Sequence, residues 1–194
     1  MPASDAYVAG LVLAAGGSKR LGRPKQLLPF GTATLLDHTV TTARGCPFDQ
    51  LLVAIGGAAD DVRKQVDLSG ADVVVNDAYG EGCSSSIAAA MAALDPRARL
   101  LVLLLGDQPG VTTGTVAALL AGRGDADLAV CRYDDGLGHP FCFSRRLFPT
   151  LKGLRGDKAV WKLVAAGGDD VAKVPVSGPV PIDVDTWTDY EAVR

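Results

Sequence analysis

The chain has 194 residues, 48% of them hydrophobic, and a net charge of −3; that length suits one α/β domain with a buried core, and the composition excludes a disordered chain. The slightly acidic balance gives no basis for a broad electrostatic contact with nucleic acid, and no uninterrupted apolar run reaches membrane-spanning length. Met1 to Tyr7 has neither a basic start nor a long apolar core, so a cytoplasmic location without a signal peptide is expected.

Apolar strand-like runs alternate with amphipathic ones, the pattern of βα repeats around a mostly parallel sheet. The spacing predicts strands over Gly10–Leu13 (within the apolar run Val8 to Leu13), Leu51–Ile55, Asp72–Val75, Leu100–Leu105, Leu128–Cys131, Pro140–Phe143 and Val171–Val176. It predicts helices over Thr34–Arg44, Asp60–Val66, Ser85–Leu94, Thr113–Ala121, Arg145–Leu151 and Asp157–Ala166, with Thr112 and Ser144 at N-cap positions. Leu100–Leu105 is hydrophobic throughout and reads as a central strand covered on both faces. The fold class expected is α/β, a three-layer sandwich with a Rossmann-like, mostly parallel sheet. A single domain over 1–194, with its core at about 8–190, is expected because no repeat or linker interrupts the pattern.

Ligands of such sheets collect beyond the carboxyl ends of the strands. After the first strand comes Ala14-Ala15-Gly16-Gly17-Ser18-Lys19-Arg20-Leu21-Gly22-Arg23-Pro24-Lys25, small residues followed by a basic cluster. Such a loop brings backbone N–H groups and cations to phosphates. It is not a P-loop: Gly17 and Gly22 have the spacing, but Arg23-Pro24 stands where Lys-Ser/Thr is needed. Nor is it a dinucleotide fingerprint, since Gly16 and Gly17 are adjacent and Gly22 comes too late.

Gly106-Asp107-Gln108-Pro109 follows the predicted central strand. A carboxylate there either holds Mg²⁺ against phosphate oxygens or caps the next helix, whose start lies nearer Thr112-Thr113. Asp183-Val184-Asp185 offers two more carboxylates on one face of an extended segment, as metal ligands or as a solvated strand end. After the third strand, Asn76 and Ser84-Ser85-Ser86 supply an N-cap or a site for phosphate or a base edge. Gly138-His139-Pro140 precedes a strand, where His139 would either touch a substrate or bond the turn. His38 reads as a helix-face residue and Trp161 as core packing. Cys46, Cys83, Cys131 and Cys142 lack zinc-like or C-x-x-C spacing and read as free thiols, with no nucleophilic role for Cys83.

The first loop, L-A-A-G-x-S-x-R-hydrophobic-G-x-P-K, with Gln26-Leu27-Leu28-Pro29 behind it, resembles the signature of the MobA-like nucleotidyltransferases, and among them the molybdenum cofactor cytidylyltransferases. The resemblance runs from about Val8 to Tyr190 and includes G-D-Q-P, N-x-x-[WY]-x-x-G-hydrophobic-S-S-S (Asn76 to Ser86) and G-H-P. It departs at Trp187-Thr188, where Pro-Glu is usual, and at Gly156-Asp157-Lys158-Ala159-Val160-Trp161, where G-D-K/R-G-A-R is usual and the arginine is absent.

The resemblance implies a nucleotide-diphospho-sugar transferase type of fold and Mg²⁺-dependent transfer of CMP from CTP to molybdopterin-bound molybdenum cofactor, releasing pyrophosphate. It implies Arg20, Lys25 and Asp107 as catalytic residues. The nucleotide would be bound by Leu13, Ala14, Ala15, Gly16, Gly17, Ser18, Arg20, Gly22, Lys25, Asn76, Ser84, Ser85, Ser86 and Asp107, and the metal by Asp107, Asp183 and Asp185. Gly138, His139, Asp157 and Lys158 would face the acceptor. Implied partners are the small-molecule substrates, NTP and a phosphorylated acceptor such as molybdopterin, with a molybdoenzyme or its chaperone as a protein partner, and no nucleic acid or membrane. The alternatives are transfer of GMP or another nucleotide to a different phosphorylated acceptor, and a non-catalytic molybdenum cofactor carrier. Ala14-Ala15, where guanylyltransferases commonly have Ala-Gly-Gly, favours CTP.

Overall fold

The computed structural model describes residues 6–18 and 20–194. Lys19, one of the loop's basic residues, and most of the N-terminal stretch read above lie outside them. In chain order the elements are β1 (Val8–Ala14), a hairpin of β2 (Pro29–Phe30) and β3 (Ala33–Thr34), α1 (Leu35–Arg44), β4 (Gln50–Ile55), α2 (Ala59–Gln65) and β5 (Asp72–Val75). There follow α3 (Cys83–Ala92), β6 (Leu100–Leu105), α4 (Thr113–Gly122), β7 (Leu128–Arg132), β8 (Leu137–Ser144), α5 (Phe148–Gly153), α6 (Ala159–Gly167), β9 (Val171–Pro175) and α7 (Trp187–Val193).

Seven strands form one sheet in the order β5-β4-β1-β6-β8-β7-β9. The pairs β5–β4, β4–β1, β1–β6 and β7–β9 are parallel, and β8 runs antiparallel to β6 and β7 on either side of it. From β1 the chain steps outward through β4 to β5, then returns to place β6 on the other flank of β1. That reversal is a topological switch point, and the crevice it opens lies at the carboxyl ends of β1 and β6. Leu13 pairs with Leu105 there, and the Gly106 N–H donates to Leu13 O at 2.9 Å. The loop after β1 and the Gly106-Asp107 turn therefore leave the sheet side by side.

Period-two alternation in the strands builds a core on each face. Val8 and Val12 of β1 with Leu100, Val102 and Leu104 of β6 pack under α1, α2 and α4 through Leu36, Val40, Val62, Val116 and Leu119. Ala9 and Leu11 with Leu101 and Leu103 face α3, α5 and α6 through Ile87, Met91, Leu151, Val160 and Val164. The continuous hydrophobicity of β6 thus has the expected cause: both faces are covered. A third, smaller core of Leu21, Leu28, Leu35, Val184 and Tyr190 lies outside the sandwich and ties the β1 loop to the C-terminal segment.

Helix starts follow local chemistry. Thr34, Thr112 and Thr186 are N-caps with capping boxes closed by Asp37, Thr115 and Asp189. Ser144 accepts a bond from the Arg146 N–H as expected, but the helix read over Arg145–Leu151 is a 3-10 turn (Arg145–Leu147) followed by α5. Pro149, which has no N–H, is placed in the first turn of α5 where none is needed. The helix read from Ser85 starts at Cys83, directly after Gly82 at φ 101, and the one read from Asp157 starts at Ala159. The β2–β3 hairpin was not among the expected elements, and α7 was expected only from the resemblance, whose closing helix starts at Trp187-Thr188.

Candidate active site

The β1 loop is folded back on itself by short polar bonds. Ser18 adopts φ 49, an uncommon backbone for a residue with a side chain. Its hydroxyl accepts a bond from the Lys25 N–H at 2.9 Å, and its carbonyl accepts the Leu21 N–H at 3.1 Å. Gly22 at φ 69 turns the chain, and Pro24 leads into the 3-10 turn Lys25–Leu27. Buried Gln26 clamps the loop to the sheet, its amide donating to Ala14 O at 2.7 Å and to Gly16 O at 3.0 Å. Ala14 and Ala15 are buried, whereas Gly16 and Gly17 expose their backbone at the crevice.

These constraints aim Lys25 across the switch point. Its ammonium pairs with Asp107 and donates to Asp185 Oδ1 at 2.8 Å; Arg20 Nη2 reaches the other oxygen, Asp185 Oδ2, at 2.6 Å. Burial opposes the lysine's charge, but the Asp107 and Asp185 carboxylates outweigh it and raise its pKa. Asp185 is held below the ordinary carboxylate range: burial pushes it up, and the bonds from Lys25 and Arg20 pull it further down. Asp183 behaves oppositely. Burial, reinforced by the charges of Asp107 and Asp185, pushes it up to about 6.

Asp107 and the Asp183–Asp185 segment are joined through the backbone: the Val184 N–H donates to Asp107 O at 3.0 Å, and Val184 is fully buried in the third core. Gln108, also buried, donates to Pro181 O at 3.4 Å. His38 donates from Nε2 to Pro109 O at 3.1 Å. Sequence reading missed these supports. Gln26 adjoins the first loop's motif and Gln108 belongs to G-D-Q-P, which is a usable signal; His38 sits 71 positions from its partner and carries none.

Asp107, Asp183 and Asp185 do not make a three-carboxylate cage, since among the described residues no group of three His, Cys, Asp or Glu is placed to hold a metal. Two hard carboxylates that share one cation, Lys25, do fit a divalent ion completed by substrate oxygens and water, because Mg²⁺ is usually held by one or two carboxylates.

Other expected site residues are engaged internally. The Asn76 amide donates to Ser85 Oγ at 2.8 Å and Ser86 Oγ at 2.9 Å, and Asn76, Ser84 and Ser86 are buried. Asn76, Ser85 and Ser86 brace the turn after β5 through these bonds, and Ser84 is buried beside them. Asp157 caps α3 from a distant segment, its Oδ1 accepting the Cys83 N–H at 3.0 Å. A Cβ at Gly82 would lie 2.6 Å from that oxygen, so the close approach as well as the backbone angle requires glycine. Lys158 is exposed beside it. Gly138 is buried, and a Cβ there would meet Val180 at 2.9 Å and Tyr133 at 3.0 Å.

His139 as an acceptor contact is corrected by the structure. The residue is 9% exposed, its ring packs against Phe141 and Trp161, and burial lowers its pKa to about 3. Trp161 is core packing as expected. All four cysteines are free, and burial pushes Cys83 up to about 11, against a nucleophilic role.

The model of the MobA-like NTP transferase domain matches residues 10–171. Nicotine blue oxidoreductase of Paenarthrobacter nicotinovorans is 33% identical over 154 residues, 74% of each chain. Purine catabolism protein PucB of Bacillus subtilis is 31% identical, covering 97% of this chain and 96% of its own. Among solved structures, Rv0371c of Mycobacterium tuberculosis H37Rv is 48% identical with a TM-score of 0.92 over 97% of both chains. The same protein in complex with manganese aligns at 46% identity and a TM-score of 0.86, over 96% of this chain and 97% of that one. The fold is the nucleotide-diphospho-sugar transferase type. No helix among the described residues is long and apolar enough to cross a membrane. By sequence, fold and the architecture of its first loop, the chain belongs to the MobA-like NTP transferase family.

Proposed function

We propose that the protein is a divalent-metal-dependent nucleotidyltransferase that moves CMP from CTP to the terminal phosphate of molybdopterin-bound molybdenum cofactor. The observation that carries this reading is the meeting of Lys25 and Arg20, from the β1 loop, with Asp107 and Asp185 at the switch point. Cations on one wall and carboxylates on the other suit a triphosphate bound with a metal ion.

In the reaction, an acceptor phosphate oxygen attacks the α-phosphorus of CTP in line. The new P–O bond forms as the α–β bridge breaks, and pyrophosphate leaves with that electron pair. The nucleophile is already anionic, so no protein base is required. Lys25 and Arg20 neutralise charge on the departing pyrophosphate, and the exposed Gly16–Gly17 backbone lies along the phosphates. Asp107 with Asp185 or Asp183 would hold Mg²⁺ or Mn²⁺, which when bound supplies charge neutralisation between the phosphates. Manganese is worth trying because the Rv0371c structure contains it.

The test is release of pyrophosphate from CTP, GTP, ATP or UTP with Mg²⁺ or Mn²⁺, in the presence of molybdopterin-type and sugar-phosphate acceptors. Release that depends on both CTP and the pterin supports the reading. Release with another nucleotide or acceptor replaces its specificity, and tight pterin binding without release replaces it with a carrier. The 33%-identical relative named as an oxidoreductase adds one control, an assay for redox turnover in the absence of pyrophosphate release.

A further inference from the structure

We infer that Tyr79 is a substrate-binding residue of the nucleotide site, forming the wall against which the nucleoside part of the substrate packs; this rests on the nucleotidyltransferase reading. Tyr79 belongs to the 3-10 turn Tyr79–Glu81 after β5, and its side chain reaches back over the loops that follow β1 and β4. Gly56 and Gly57, directly after β4, do not have left-handed φ angles, so turn geometry does not demand glycine at either position. Close approach does. A Cβ on Gly57 would stand 2.9 Å from Cε2 and 3.2 Å from Cζ of the Tyr79 ring. A Cβ on Gly56 would stand 2.7 Å from the Tyr79 Cβ and 2.9 Å from Ala15 O. Toward the phosphate loop, a Cβ on Gly17 would lie 3.6 Å from the ring, an ordinary contact distance. The ring is thus seated on glycine backbone where three carboxyl-end loops converge.

The segment carrying it is braced. The Ala78 N–H donates to Asn76 Oδ1 at 3.0 Å, and Ser85 Oγ donates to Ala78 O at 2.9 Å. Despite this seating Tyr79 is 40% exposed, one of few large hydrophobic side chains left open. An aromatic ring fixed on one side, open on the other and adjoining the exposed Gly16–Gly17 backbone offers a surface for a base or ribose. Pyrophosphate, gripped by Arg20 and Lys25, would not need it.

Calorimetric titration of the full chain with CTP, GTP and pyrophosphate, each with Mg²⁺, separates the two parts of the ligand. For the tighter-binding nucleotide, Tyr79→Ala weakens affinity about tenfold or more, leaves pyrophosphate within about twofold, and Tyr79→Phe retains both. Equal weakening of nucleotide and pyrophosphate makes the ring a structural support and overturns the inference, as does unchanged nucleotide affinity. A wild-type protein that binds neither nucleotide overturns the nucleotidyltransferase reading itself, and the role of Tyr79 with it.

Discussion

Lys25 and Asp185 lie 160 residues apart, yet the lysine ammonium donates to Asp185 Oδ1 at 2.8 Å while also pairing with Asp107. One side-chain cation therefore occupies the space between two carboxylates of like charge. Lys25 is largely buried there, at 13% side-chain exposure, so solvent does little to screen the arrangement. A divalent ion held by Asp107 and Asp185 would compete with the ammonium for the same oxygens.

Removal of that competitor should sharpen metal binding. Lys25→Met is expected to bind Mn²⁺ severalfold more tightly than the wild type in the absence of nucleotide, read from the free-ion signal in electron paramagnetic resonance. Addition of CTP should narrow the difference. Weaker Mn²⁺ binding by the variant would mean that Asp107 and Asp185 do not share a site for the ion.

Asp107→Asn keeps the shape of the turn and the Val184 backbone bond but removes the charge. Turnover should fall by about 10²–10³, the range seen when one preorganised electrostatic group is lost. Thermal unfolding should shift little, because Lys25 retains Asp185. A large loss of stability with proportionate loss of activity would make Asp107 a structural residue.

The third core is expected to position the carboxylates. Val184→Ala deletes two methyl groups from a fully buried site and should cost about 2 kcal/mol in denaturant unfolding. Because Val184 lies between Asp183 and Asp185, nucleotidyl transfer should fall further than the unfolded fraction explains.

His139 gives the fold a dependence on pH. Its folded pKa of about 3 lies below the ordinary 6.5, so between those values the unfolded chain takes up a proton that the native ring refuses. Its contribution is fully present above about 6.5 and declines progressively as pH falls toward 3. His139→Gln should show a shallower loss of stability across that window by denaturant titration. A variant with the same slope as the wild type would place the acid sensitivity elsewhere.

The sheet was legible because burial on both faces imposes long apolar runs, as in β6, and because Thr112 announces its helix chemically. The hairpin and α7 were not: two-residue strands carry no period, and a seven-residue helix beginning at Trp187 shows its start only in the Thr186–Asp189 box. At the site, Arg20, Lys25 and Asp107 follow from loop chemistry and strand-end position, and Asp185, which lies on no strand, from the Asp183-Val184-Asp185 alternation. The Asn76–Ser85–Ser86 network and the Asp157 cap did not, because polar residues at a helix start look alike whether they await a ligand or bond one another. For a related reason the sequence leaves His139 open between a substrate contact and a turn bond: neither its neighbours in sequence nor its turn reveal the aromatic ring of Trp161 packing on it from α6.

Nucleotidyl transfer at this site is decided by pyrophosphate release from CTP with Mg²⁺ and a molybdopterin acceptor, measured for the wild type and for Lys25→Ala. Robust release by the wild type and a drop of about 10²–10³ in the variant are expected, with thermal unfolding changed far less. Near-wild-type transfer by Lys25→Ala would contradict this reading of the site.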